Sequence, residues 1–353
     1  MIRFECDYAE GVHPRILERL ALTNDEQTPV YGQDGHCDRA AGYIRRSCGA
    51  EEADVHFLTG GTQTNLTVAG ALLRPHQGVV SAVSGHIEVH ETGAIEATGH
   101  KVLTLDSTDG KITGAQVDQL CQAHDDDANH EHAVQPGMVY ISHPSENGTI
   151  YTKDELRELR KACDKWGLPL YMDGARMGYG LAAARRRFGA DGLTLEDIAA
   201  LCDLFYIGGT KVGAMFGEAL VIVNEKFKKD FRYHIKQRGA MLAKGRMLGI
   251  QFEVLFEDGL YLEIADRAVA LADRLRQAFG DKGFSFLYDA PANQIFPVLP
   301  EEAIRSLAGK YAFFVWQKTG GGDGGQEAAI RLCTSWATRE EHIRQLIGDV
   351  GEL

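Results

Sequence analysis

The chain has 353 residues, 44% of them hydrophobic and 25% charged, with a formal net charge of −13. That length buries a large core and suggests two domains, while the acidic balance excludes nucleic acid and anionic membrane as main partners, since both attract basic surfaces. No run approaches the roughly 20 apolar residues of a membrane span, MIRFECDYAEG holds no apolar signal core, and seven cysteines without a C-x-x-C pair are expected as reduced thiols in a cytoplasm.

His13–Leu22 is expected as an amphipathic helix with Ile16, Leu17 and Leu20 on one face, and VYGQDGHC (30–37) is a turn-rich lead into a helix around Arg39–Cys48. Val55–Leu58 reads as a strand that runs into TGGTQTN (59–65) and then an apolar helix. Strand, glycine turn and helix in succession offer free backbone N–H groups to an anion, here from Gly61 and Thr62. Neither G-x-G-x-x-G nor a P-loop lysine is present. Locally, a helix-entry turn capped by Thr62 reads equally well.

Gly78–Ala82 and Lys101–Leu105 are further strands, and SGHIEVHETGAIEATGH (84–100) between them carries His86, Glu88, His90, Glu91 and His100. No zinc-ligand spacing occurs there, so no metal is expected. DDDANHEH (125–132) reads as a solvated loop. Met138–Ser142 is a strand followed by HPSENGT (143–149), and Thr152-x-x-Glu155 is a capping box opening a helix through Leu156, Leu159, Cys163 and Trp166. Leu168–Met172 runs into Asp173-Gly174-Ala175-Arg176, and Thr194–Leu201 is a capped helix. The strand Leu204–Ile207 then breaks at Gly208-Gly209, Thr210 and Lys211 follow, and a strand resumes at Ala219–Val223.

Strands alternating with helices make an α/β domain with a mostly parallel sheet, whose sites lie at the carboxyl ends of the strands. The turns at Gly60, His143, Asp173 and Lys211 each follow a strand and are expected to meet in one cleft. Beyond about Gly249 the pattern changes, which divides the chain into a large domain (1–248) and a small C-terminal α+β domain (249–353). In the small domain Leu262–Phe279 is a helix with Ala265, Ala268, Val269, Ala272 and Leu275 inward. Strands Ala312–Gln317 and Ala329–Cys333 flank the glycine cluster 320–325, expected as a flexible hairpin tip. Arg331 lies between Ile330 and Leu332 and shares its face with neither, so it faces solvent or a cleft.

A lysine beside two glycines and between buried strands sits where desolvation disfavours its charge, and a neutral amine is the nucleophile for Schiff-base formation with a carbonyl. Alone, Lys211 also reads as a strand end pointing to water. A glycine-threonine anion cradle, an aspartate, this lysine and a distant arginine, in that order, suit pyridoxal 5′-phosphate. Gly61 and Thr62 would hold its phosphate with a hydroxyl from Thr210, and Asp173 would pair with the pyridine nitrogen. Lys211 would bond the aldehyde carbon, and Arg331 would hold a substrate carboxylate as a bidentate donor.

The stretches DYAEGVHPRIL, VYGQD, TGGTQTN, GHIEVHETGA, MDGARMGYGL, IGGTKVGAMFGEAL and IRLCTSWAT together resemble the threonine aldolase group of the β-eliminating lyase family. That resemblance runs from about residue 4 to 340, in order and spacing. It implies the aspartate-aminotransferase-like fold, fold type I, with pyridoxal phosphate on Lys211 and Asp173 at the ring nitrogen. It also implies His86 stacked on the ring, and Arg176 and Arg331 toward the substrate carboxylate. A homo-oligomer is implied too, a dimer of dimers, with Tyr31 reaching a neighbour's site. The familiar members read Ser-Asp where this chain has Cys6-Asp7, and Thr-His-Asn where it has Ser145-Glu146-Asn147. A glutamate therefore stands in place of a histidine near the substrate hydroxyl, so the base is expected to be His86 or Glu146, with Glu91 holding a water. The expected reaction is retro-aldol cleavage of L-threonine, L-allo-threonine or a related L-β-hydroxy-α-amino acid to glycine and an aldehyde. β-Elimination, racemisation and a non-catalytic cofactor-binding relative are the alternatives, and Lys211 argues against the last.

Overall fold

The computed structural model describes residues 1–320 and 326–353. Seven strands form the central sheet: β1 Asp54–Leu58, β2 Gln77–Ala82, β3 Val102–Leu105, β4 Gln135–Ser142, β5 Leu170–Asp173, β6 Leu204–Gly208 and β7 Glu218–Ile222. Their order is β1-β7-β6-β5-β4-β2-β3. Only β7 runs against the others, antiparallel to both β1 and β6. The carboxyl ends of six strands, and the amino end of β7, therefore share one edge.

Alternate residues of each strand enter two separate apolar layers, as a sheet covered on both faces requires. Val80, Val139, Ile141, Met172, Phe205, Ile207 and Val221 pack into one layer. Val79, Met138, Tyr140, Tyr171, Leu204, Tyr206 and Leu220 pack into the other. Thr113, Thr152 and Thr194 open their helices with capping boxes, and Gly167 closes Lys153–Trp166 in the left-handed region. Two local expectations need correction. Helix Gly61–Leu72 begins at Gly61 with Gly60 as N-cap, so Thr62 lies inside the first turn and caps nothing. In helix Pro14–Leu22, Ile16 is fully buried but Leu17 is 56% exposed.

Gly249, where the sequence pattern changes, falls inside helix Arg246–Phe256 rather than at a linker. We infer that the division runs through the long helix Leu260–Asp281. Its first half, through Val269, packs into the large domain's core, and Leu271, Ala272, Leu275 and Phe279 pack into a third, C-terminal core. That unit holds a small antiparallel sheet in which Glu327–Cys333 pairs with Val298–Pro300 and with Phe314–Lys318. Residues 321–325 of the glycine cluster lie outside the described residues. Ile2–Arg3 pairs in parallel with Tyr311–Ala312. This pairing anchors the start of the chain and lays Asp7 and Tyr8 against the edge where the strand ends meet. Among the described residues, no helix is long and apolar enough to cross a membrane.

Gly208 closes β6 where the chain has no room for a side chain. Its N–H donates to Gly174 O at 2.9 Å, its carbonyl accepts from Tyr261 Oη at 2.9 Å, and a Cβ would stand 2.2 Å from Ala175 O. Gly208→Ala should therefore push the Lys211 turn away from Asp173-Gly174-Ala175. Overpacking of this kind costs about 1–3 kcal/mol. A lowered thermal unfolding midpoint is expected, and an unchanged midpoint would show that the two turns are not in this contact.

Candidate active site

A cavity of about 310 Å³ opens at the shared edge. Its wall includes Gly61 and Thr62 after β1, His86 after β2, Ser142 and Glu146 at and after β4, Asp173 and Arg176 at and after β5, and Thr210 and Lys211 after β6. Tyr8, Tyr206, Phe216 and Glu218 also line it. Eight residues singled out in the sequence thus converge, because parallel strands bring their C-terminal turns to one place.

Asp173 is buried and held by four donors from four elements. Tyr140 Oη donates to its Oδ2 at 2.7 Å and Asn65 Nδ2 to the same oxygen at 3.0 Å. Tyr206 Oη and the Ala175 N–H donate to Oδ1. Asn65 also donates to Glu91 Oε1 at 2.7 Å and accepts from Tyr171 Oη at 2.8 Å. Glu91 Oε1 in turn meets His86 Nδ1 at 2.8 Å. Burial alone would lower the His86 pKa, but the Glu91 bond and the nearby Asp173 charge raise it above its usual value. Glu91 is buried behind His86 and is not part of the cavity wall.

Lys211 is half-buried, with Nζ 5.8 Å from the centroid of the Tyr8 ring. Desolvation, then the Arg176 charge, lowers its pKa against the pull of Asp7, Asp173 and Glu218. Glu146 accepts at Oε1 from Ser142 Oγ at 2.7 Å and from the His86 N–H at 3.0 Å. Desolvation raises its pKa above the ordinary carboxyl value, against the Ser142 bond. His143, the nearest histidine in sequence, is fully buried and takes the Tyr151 N–H at 3.3 Å on Nδ1. Burial lowers its pKa to about 4, which keeps it neutral, and it does not line the cavity.

Five assignments meet a different geometry. The Thr210 hydroxyl bonds inside the turn: it donates to Glu218 Oε1 at 2.8 Å and accepts from the Gly217 N–H at 3.0 Å. Arg176 gives Nε and Nη2 to Asp7 at 2.7 and 2.9 Å, a bidentate pair closed behind by Asn293 Nδ2 at 2.8 Å. Arg331 and Cys6 are not in the cavity wall. The Arg331 guanidinium lies 5.0 Å from the ring centroids of both Phe314 and Trp316, and Nη2 donates to Glu5 O at 3.1 Å. Tyr31 stands apart from this cleft, 40% exposed, with φ 61°, a left-handed backbone costly for a bulky residue. Its N–H donates to Ala243 O, and its carbonyl accepts from Arg232.

Asn65, Tyr140, Tyr206 and Glu218 were missed in the sequence. The strand period gave a signal for the tyrosines: Tyr140 shares a face with Ser142 and Tyr206 with Gly208, as Tyr171, which holds Asn65, does with Asp173. Asn65 stands one turn beyond Thr62 in the same quoted motif. Glu218 opens β7 one residue before the strand was read to begin.

Asp7 is wholly buried. Burial alone would raise its pKa, but the Arg176 guanidinium, with Lys211 and Asn293, lowers it below the ordinary 3.8. A depressed acid stabilises the fold above its unfolded value and loses that contribution as pH falls through its folded value. Asp7→Asn should therefore destabilise the protein at neutral pH, by about 3–5 kcal/mol for a broken buried pair. The gap in unfolding midpoint between variant and native protein should narrow below about pH 4. A gap independent of pH would contradict the ion pair.

A family model for β-eliminating lyases matches residues 13–334. The chain is 30% identical to the low specificity L-threonine aldolase of Pseudomonas sp. (strain NCIMB 10558), over 99% of this chain and 96% of that protein. It is likewise 30% identical to the low specificity L-threonine aldolase of Pseudomonas aeruginosa, over 99% and 96%. A solved Leishmania major threonine aldolase superposes with a TM-score of 0.93 at 42% identity, covering 100% of this chain and 99% of that one. An aspartate aminotransferase from Thermus thermophilus shares the fold, with a TM-score of 0.69 at 15% identity. With its parallel sheet, its lysine turn and its buried aspartate at one edge, the chain belongs to the β-eliminating lyase family.

Proposed function

We propose that the chain is a lyase that uses pyridoxal 5′-phosphate to cleave L-threonine, L-allo-threonine or a related L-β-hydroxy-α-amino acid to glycine and an aldehyde. One observation carries the reading: Lys211 and Asp173 face a single cavity that also takes in a helix N-terminus. The family and the 42% identity to a threonine aldolase support it.

The residues fit the cofactor. Helix Gly61–Leu72 has no side-chain cap, so the N–H groups of its first turn are free for a phosphate. Gly61 lets that helix start against Tyr206, since a Cβ there would stand 2.8 Å from Tyr206 Oη. Asp173 would hold the proton of the pyridine nitrogen, His86 would lie on the ring, and Lys211 would bond the aldehyde carbon. When bound, the cofactor supplies an aldehyde that takes the substrate amine and a protonated ring that draws the electrons of the Cα–Cβ bond.

The chain's own residues do the rest. Desolvation favours the neutral Lys211 amine, the form that attacks a carbonyl. Four donors fix both oxygens of Asp173, so its carboxylate would stay in place toward the pyridine nitrogen. His86 is fixed in the same way through Nδ1, which leaves Nε2 as its free nitrogen. Glu146 receives its two hydrogen bonds on Oε1, so Oε2 is the oxygen available to take the β-hydroxyl proton, and its raised pKa suits a base working near neutrality. Arg176, held flat by Asp7, is the guanidinium in the wall for the substrate carboxylate. Arg331 is the second guanidinium proposed for that carboxylate, and it stands outside the cavity wall on Phe314 and Trp316. We further propose a homotetramer in which Tyr31 serves a neighbour's cleft, and a cytoplasmic setting in which the seven unpaired cysteines stay reduced.

Purified protein incubated with L-threonine should release acetaldehyde and glycine in equal amounts. A 2-oxo acid with ammonia would mean β-elimination instead, and no product from any β-hydroxy amino acid would overturn the reading. Glu146→Gln keeps the shape and removes the base. A fall in kcat of about 10²–10⁴ with the cofactor absorbance unchanged is expected. Turnover equal to the native rate would return the proton to His86 or to a water held by Glu91.

A further inference from the structure

Glu218 has no role in the reaction as described, yet it is a buried carboxyl in the cavity wall. It is the first residue of β7, paired with Leu58 on one side and Gly208 on the other. Leu58 leads directly into Thr59–Thr62, and Gly208 into the Lys211 turn. The carboxyl therefore stands between the anion cradle and the lysine. Its Oε1 accepts from Thr210 Oγ1 at 2.8 Å and its Oε2 from the Gly209 N–H at 3.1 Å.

We propose that Glu218 belongs to the phosphate cradle as a protonated acid, and that the cradle loses its grip on the phosphate when Glu218 ionises. The inference rests on the phosphate-bearing cofactor proposed above. Two anions at one cradle repel, and a buried site screens them little. The cations in the wall have other partners, since Arg176 pairs with Asp7 and is assigned to the substrate carboxylate, His86 pairs with Glu91, and Lys211 is reserved for the aldehyde. A neutral carboxyl removes that repulsion and still clamps Gly209 and Thr210. Burial pushes Glu218 up to about 8, against the pull of the Thr210 bond, the Lys211 charge and the Gly209 N–H, with Asp173 adding to the rise. The other titratable groups that feel Glu218 are Tyr206, Tyr171 and Tyr261, all kept neutral by burial.

The sign follows. Below about pH 8 the acid is neutral and the phosphate binds. Above it a carboxylate faces a phosphate that is already dianionic, since the second phosphate ionisation lies near 6. The test uses the full chain freed of cofactor, titrated with two probes that carry an amine in place of the aldehyde and so cannot bond Lys211. Pyridoxamine 5′-phosphate should bind about tenfold or more weakly at pH 9.5 than at 7.5, whereas pyridoxamine, which lacks the phosphate, should show no such trend. In Glu218→Gln the trend should vanish, and in Lys211→Ala it should move to higher pH, because the Lys211 charge holds the Glu218 pKa down. The same trend for both probes, its survival in Glu218→Gln or its move to lower pH in Lys211→Ala would overturn the proposal. Should Glu218→Gln fail to fold, the two probes and the Lys211→Ala variant decide alone. Tight binding of pyridoxamine 5′-phosphate without a pH trend would sink only the Glu218 role, while no binding at any pH would sink the cofactor reading as well.

Discussion

The carboxylate of Asp173 is the point on which the site depends. Four donors reach it from β4, β6, helix Gly61–Leu72 and the turn after β5. Each element brings something else to the cleft: β4 the Glu146 loop, β6 the lysine turn, the helix its free N–H groups. Removing one donor would leave buried polar groups short of partners, at about 1–3 kcal/mol each. A network satisfied from so many directions has one arrangement in which every partner is met, and that arrangement faces the cavity. Asn65 extends it to Glu91, and Glu91 to His86, so ring stacking and ring-nitrogen pairing are set by one chain of hydrogen bonds.

The sheet makes this convergence possible. A parallel sheet puts every β-to-α turn at the same edge, and the single reversed strand, β7, adds its first residue there rather than its last. The N-terminal segment is bound to the C-terminal unit through Ile2–Arg3 and Tyr311–Ala312. It brings Asp7 across to Arg176, so the ion pair joins the first residues of the chain to the cleft of the large domain.

Much of this was legible in the sequence. The strand and helix alternation gave the layers, the capping boxes at Thr152 and Thr194 marked their helices, and glycine turns after strands marked the edge. What stayed hidden was tertiary. Thr210 sits beside Lys211 in sequence, yet its hydroxyl turns to Glu218, a partner that only the β6–β7 pairing supplies. Arg176 was expected toward the substrate carboxylate, and its pairing with Asp7, 169 positions away, was not visible in the sequence. Gly249 marked a change of pattern but lies within a helix, since the apolar residues of Arg246–Phe256 serve the large domain's core. The tyrosines that hold Asp173 read as ordinary strand residues, and only their shared face separates them from core.

The central claim is that this edge holds pyridoxal phosphate covalently on Lys211. The direct measurement is borohydride reduction of the purified yellow protein, followed by protease digestion and mass mapping of the peptides. The account predicts a single phosphopyridoxyl group, on the peptide that carries Lys211. The group on a different lysine, or no modified peptide from protein that is active, would contradict it.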